Sequence, residues 1–177
     1  MEDPLALRFA STIRATRGGL TDALATESSA REWLAANLPD PAPVPLDALV
    51  ALRQAVRALF AEAVAPHPPS PADPAALPPF PQALALVNAS AAPVLRRLVW
   101  DDAPRETRDS VHGGPLAVLA DAAVDFFAGP LFPQVRVCPA PRCVLYFLKR
   151  HSKQEWCSTT CGNRARAARY YAQHKND

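Results

Sequence analysis

The sequence predicts an α+β protein, mainly helical. A helix-rich N-terminal domain with a small antiparallel sheet, residues 1–133, is followed by a four-cysteine module, residues 134–177, built as a hairpin and then a helix in a treble-clef-like arrangement. Three observations predict it. All four cysteines fall within 24 residues, Cys138 to Cys161, as C-x4-C and C-x3-C pairs separated by thirteen residues. Apolar residues recur at steps of three or four from Leu46 to Ala65, the mark of an amphipathic helix. Charge is segregated: residues 136–177 carry nine basic and two acidic side chains, a net +7, whereas the rest carries ten basic and fifteen acidic, a net −5.

The 177 residues suffice for one medium domain and a small module. No apolar run approaches the roughly 18 residues of a membrane span. Met1-Glu2-Asp3-Pro4 leads into no secretory signal, so a reducing cytoplasm is expected, with no membrane partner.

Along the chain, the alternation of Leu5, Leu7 and Phe9 predicts a short strand ending near Ser11. Gly18-Gly19 breaks the chain before Thr21-Asp22, which reads as a helix cap. Ser29 to Glu32 has the capping-box spacing, predicting a helix over 29–38 with Trp33 in the core. Pro39, Pro41, Pro43 and Pro45 form a stiff connector. In the following helix Leu49, Leu52, Val56, Leu59, Phe60 and Ala63 face inward, while Arg53 and Arg57 fall on the polar side and read as solvated.

Residues 66–81 contain eight prolines and read as an extended loop, a variable insertion. Gln82 to Asn88 suits a short helix. Val94 to Trp100 and Thr107 to Val111 suit strands joined by a turn at Asp101 to Pro104. Gly113-Gly114-Pro115 opens a helix that buries Leu116, Leu119, Ala123, Val124 and Phe127 and stops at Gly129-Pro130. A strand at Val135 to Val137 delivers Cys138.

Two close cysteine pairs suit one zinc ion, because a borderline-soft divalent cation takes four thiolates tetrahedrally and two local turns each supply two. Pro139 and Pro141 stiffen the first turn, and Ser158, Thr159 or Thr160 can cap a helix at the second. Two disulfides, or His151 in place of one thiol, are the alternatives. A metal would also explain how a segment with so few large apolar residues folds: structural zinc supplies about 10–16 kcal/mol of apparent binding energy. Replacing Cys157 with Ser is then expected to unfold the module and leave the N-terminal domain folded.

Cys161-Gly162-Asn163-Arg164, preceded by Trp156-Cys157-Ser158 and followed by Ala165-Arg166, strongly resembles the signature of the CGNR zinc-finger family of bacterial proteins. That family joins the finger to an N-terminal ABATE domain, described as a stress-linked sensor of a transcription regulator. The resemblance implies Cys138, Cys143, Cys157 and Cys161 as zinc ligands. Many members carry an aspartate followed by serine and arginines between the middle cysteines; here the stretch is Leu148-Lys149-Arg150-His151-Ser152-Lys153-Gln154-Glu155.

On a helix from Ser158 to His174, Cys161, Ala165, Ala168 and Ala172 share a narrow packing face, and Arg166, Arg169 and Gln173 lie opposite in water. Such arginines can lie on phosphates or reach guanine in the major groove. Asn163, Arg164, Lys149, Arg150 and Lys153 join them as candidate nucleic-acid contacts. Asn163 can instead bond the local backbone, and Arg164 can pair with the body. Tyr170 and Tyr171 can stack on bases or pack at the hairpin edge.

The expected function is a zinc-binding transcription regulator whose finger contacts duplex DNA. Its N-terminal domain would sense a small molecule or protein partner, and a homodimer is compatible. A protein- or RNA-interaction module is the alternative. No catalytic residues are expected, since four thiolates close a zinc site and no GxSxG, HExxH or phosphate-cradling glycine loop is present.

Overall fold

The structure is a computed structural model, which describes residues 3–16, 18–39, 41–73, 77–100, 104–110 and 113–174. Six helices and three antiparallel hairpins follow one another among these residues.

The first element is a helix, α1 (Leu5–Ala10), where alternation predicted a strand. Ala6, Leu7, Phe9 and Ala10 are all buried, and an element surrounded on most sides cannot be told from a half-buried strand over so few residues. The chain then makes the hairpin β1 (Ile13–Thr16) and β2 (Gly19–Asp22), pairing Ile13 with Asp22 and Thr16 with Gly19. Gly19, paired with Thr16 at the head of β2, has φ +127°, a conformation open to glycine, so the glycine pair lies in a hairpin instead of preceding a helix. Asp22 closes a local turn by accepting from the Leu24 N–H at 2.8 Å.

Helix α2 (Glu27–Asn37) starts two residues before the expected position. Its cap is Thr26, whose side chain accepts from the Ser29 N–H while Ser29 Oγ accepts from the Thr26 N–H, each at 3.2 Å. Trp33 packs against the core, its ring 5.5 Å from that of Phe9.

The central helix is α3 (Leu46–Ala63), and Leu49, Leu52, Val56, Leu59 and Phe60 are buried as its period requires. Arg53 and Arg57, expected in water, are buried too, at 2% and 0% exposure. Their positions four apart place them on one flank, and tertiary partners cover that flank.

Helix α4 (Phe80–Ser90) and the hairpin β3 (Val94–Trp100) and β4 (Pro104–Ser110) follow, with Val94 opposite Ser110. The expected turn at Asp101 to Ala103, and Val111, lie outside the described residues. Helix α5 (Pro115–Ala128) begins at its proline and ends at Gly129 as expected. Its inward face is rotated: Phe126 is buried, Leu116 and Phe127 are half-buried, and Val124 is 40% exposed.

A single 3-10 turn at Phe132–Gln134 leads into the hairpin β5 (Val135–Val137) and β6 (Tyr146–Leu148), then helix α6 (Thr159–Gln173). Val135 pairs with Leu148 and Val137 with Tyr146. Strand β6 serves two cores, because successive side chains point to opposite faces. Tyr146 and Leu148, with Val135, belong to the large core of α1 to α5. Phe147 belongs to a second cluster with Cys138, Cys143, Cys161 and Ala165. The hairpin that carries the cysteines is thus part of the N-terminal domain's core.

Among the described residues, no helix is long and apolar enough to cross a membrane.

Candidate metal centre and the surfaces around it

Each cysteine pair is presented by a turn. In the first, the Cys143 N–H donates to the Ala140 carbonyl at 2.9 Å and the Cys138 N–H to Leu145 at 3.0 Å. Arg142 closes this knuckle with φ +61°, in the left-handed region where an L side chain costs roughly 1–2 kcal/mol. In the second, Ser158 caps α6 by accepting from the Cys161 N–H at 3.2 Å, so Cys157 and Cys161 flank the helix start.

The four sulfurs lie within 4.8 Å of one another. Cys143 Sγ is 3.8 Å from Cys157 Sγ, which is 3.5 Å from Cys161 Sγ. These separations far exceed the roughly 2.05 Å of a disulfide. Four thiolates about 2.3 Å from a zinc ion stand about 3.8 Å apart, so this donor set fits one zinc ion. His151 is not in the cluster, and no cysteine is left over.

The electrostatics agree. Hydrogen bonds from Cys143 and then Cys157 hold the Cys138 thiol far below the ordinary thiol range, against the opposing effect of burial. The same contacts with Cys138 push Cys143 and Cys157 up. Sulfurs this crowded are all thiolates only around a cation. A zinc ion held here supplies a four-way cross-link. The chain's own residues supply everything else.

Each residue of the signature string has a local task. Cys161 is a sulfur of the cluster. Gly162 leaves room for an indole: a Cβ there would stand 3.1 Å from Trp156 Cε3. Asn163 Oδ1 accepts from Arg166 Nη2 at 2.6 Å. Arg164 donates to the Pro141 carbonyl at 3.0 Å, strapping the helix to the first knuckle. The expected alanine face is buried only through Ala165, because α6 outruns the hairpin; Ala168 is half-buried and Ala172 exposed.

The basic residues divide. Arg150, Lys153 and Arg166 line one groove, with Trp156 in its wall. Arg166 and Arg169 each hold a guanidinium 5.8 Å from the Trp156 ring centroid. Arg150 also pairs with Asp3 at 2.7 Å on the surface. Gln173 is exposed on the last turn of α6, and Lys149 faces a different cavity. Tyr170 and Tyr171 are 58% and 72% exposed and do not pack on the hairpin. Trp156 as the platform that gathers the arginines was missed in the sequence, although it stands two residues before the Ser158 cap and six before Gly162.

The buried arginines form the larger surprise. Arg53 pairs with Asp22 and donates to Thr12 Oγ1 at 3.2 Å, fastening the β1–β2 hairpin to α3. Arg57 donates Nε to Asp73 Oδ1 at 2.6 Å, Nη1 to the Ala10 carbonyl, and Nη2 to Ser70 Oγ at 3.1 Å and the Val144 carbonyl at 3.2 Å. Tyr146 donates its hydroxyl to Asp73 Oδ2 at 2.7 Å and accepts from the Ser70 N–H at 3.2 Å. Burial, helped by Asp73, pushes the Tyr146 phenol above its ordinary range. Ser70 and Asp73 come from the proline-rich segment, expected to be a variable insertion. It is instead the strap that neutralises Arg57 and grips the residue next to Cys143.

Two family models match these two parts. The model described as "ABATE: Putative stress-induced transcription regulator" matches residues 3–130, well over half of the chain. The chain belongs to the ABATE family. A CGNR zinc-finger model matches residues 134–174 of this ABATE protein, the span that brings the four sulfurs together. No curated protein matches the chain.

Proposed function

We propose that this ABATE protein is a non-catalytic, zinc-dependent transcription regulator of the reducing cytoplasm whose CGNR finger binds duplex DNA. The observation that carries the reading is the convergence of Arg150, Lys153, Arg166 and Arg169 around Trp156, where the groove is lined by one carboxylate, Glu155, and Arg150 also meets Asp3 at the surface. Guanidiniums held against an indole keep their outer donors free for phosphate or a base edge. The zinc ion fixes the start of α6, so the arginines are presented from a rigid element instead of a flexible tail.

The N-terminal domain sets the finger's orientation in response to a small molecule or protein partner. Arg57 supports this half of the reading, since it joins α1, the proline strap and the residue beside Cys143 in one buried network. The test is selection from a random duplex pool by the zinc-loaded full chain at near-physiological salt. An enriched sequence is expected, and paired half-sites would identify a dimer. Binding without enrichment would contradict regulation through sequence recognition.

The exposed Tyr170 and Tyr171 favour a second reading, stacking on unpaired bases or contact with a protein. Displacement of duplex DNA by structured RNA at lower concentration than by duplex competitor would favour it.

A further inference from the structure

Between the proline strap and the first cysteine knuckle lies a cavity of about 620 Å3. Small-molecule sites are concave, mostly apolar and preformed, and typically occupy about 300–1,000 Å3. Pro68, Pro69 and Pro71 of the strap and Pro139 and Pro141 of the knuckle line its two sides, together with the buried Phe147. Proline rings fix φ and carry no backbone donor, so both walls are apolar and stiff before any ligand arrives.

Its charge is one-sided. Arg136, Arg142 and Lys149 line the cavity against one carboxylate, Glu155. Arg136 Nη1 is engaged by the Pro133 and Val135 carbonyls. Among the described residues, Arg142 and Lys149 have no ion-pair partner. Arg142 is also the residue in the left-handed conformation, a backbone position suited to glycine. A strained residue at a cavity lip points from the strain toward use of its side chain.

We propose that this cavity binds one organic anion with an aromatic or alkyl body, its carboxylate held by Arg142 and Lys149 and its body lying between the two proline walls. Duplex DNA fits poorly, because a phosphate backbone gains nothing from an apolar recess. A ligand seated here touches the strap that carries Ser70 and Asp73 and the knuckle that carries Cys138 and Cys143. It therefore ties together both sides of the Arg57 network. Its role as an effector rests on the DNA-binding reading; its existence as a site does not.

The experiment is calorimetric titration of the zinc-loaded full chain with decanoate and naphthoate, each beside its primary amide. One site per chain is expected for a carboxylate, with the amide about tenfold weaker or worse. Arg142→Gly is expected to weaken carboxylate binding by about tenfold while leaving the melting temperature equal or higher, since glycine relieves the backbone. Equal binding of acid and amide, unchanged affinity in Arg142→Gly, or no binding of either acid below about millimolar would overturn the site. If a carboxylate binds at this site and DNA affinity does not change, the site stands and its effector role falls. If neither acid binds and DNA is still bound, the site falls and the DNA-binding reading stands.

Discussion

Arg57 Nη2 donates to the carbonyl of Val144 at 3.2 Å, across 87 residues of sequence. Val144 follows Cys143, so a fully buried cation of the central helix holds the backbone next to a metal-site sulfur. The finger and the ABATE domain are joined by charge as well as by the apolar side chains of Val135, Tyr146 and Leu148. The predictions below follow from that junction and from the packing of the signature string.

Arg57→Met leaves Asp73 buried without its cation, and breaking a buried pair by removing one partner costs about 3–5 kcal/mol. Removing both charges, with Asp73→Asn added, is expected to recover part of that loss. Urea unfolding of the single and double variants measures it; equal losses in the two would show that charge is not the cause.

Cys161→Ser removes a sulfur from the cluster. Because β6 belongs to both cores, the finger and the N-terminal domain are expected to melt in one transition, at a temperature well below that of the zinc-loaded chain. This replaces the expectation of independent unfolding. Differential scanning calorimetry that resolved two transitions, one unchanged, would contradict it.

Tyr146→Phe tests the phenol's linkage to pH. The folded-state pKa is raised by burial, so the neutral phenol's stability is fully present below the unfolded value of about 10 and is lost as pH rises above it. The native chain is expected to lose stability progressively as pH rises above about 10, toward the raised folded-state value, and Tyr146→Phe less so. Tyr146→Phe also deprives Asp73 and the Ser70 N–H of a partner, costing about 1–3 kcal/mol at neutral pH.

Gly162→Ala sets two effects against each other. Alanine favours the helix by about 1 kcal/mol, but its Cβ must displace the Trp156 ring. Little net change in stability is expected, with a shifted Trp156 indole N–H resonance and weaker DNA binding. An unmoved indole would show that Gly162 is not there to seat Trp156.

The metal centre was legible because its ligands are local in sequence: four cysteines in two tight turns declare themselves by spacing alone. The inward face of α3 was legible because eighteen residues establish the period. Arg53 and Arg57 were not, since periodicity shows which face is less apolar but not what covers it. Their carboxylates, Asp22 and Asp73, lie 31 and 16 residues away. The strap was misread for a related reason: proline excludes helix and inner strand but says nothing about burial, and Ser70 and Asp73 are buried. In α1 and α5, the elements that surround a short helix decide its face.

The most direct test of the central claim is the dependence of duplex DNA affinity on salt for the zinc-loaded full chain and for Arg166→Gln/Arg169→Gln. Four cations on phosphate predict a slope of log affinity against log salt of about −3 to −4, falling in magnitude by roughly two in the double variant. A slope near zero, or the same slope in both proteins, would contradict DNA binding through this face.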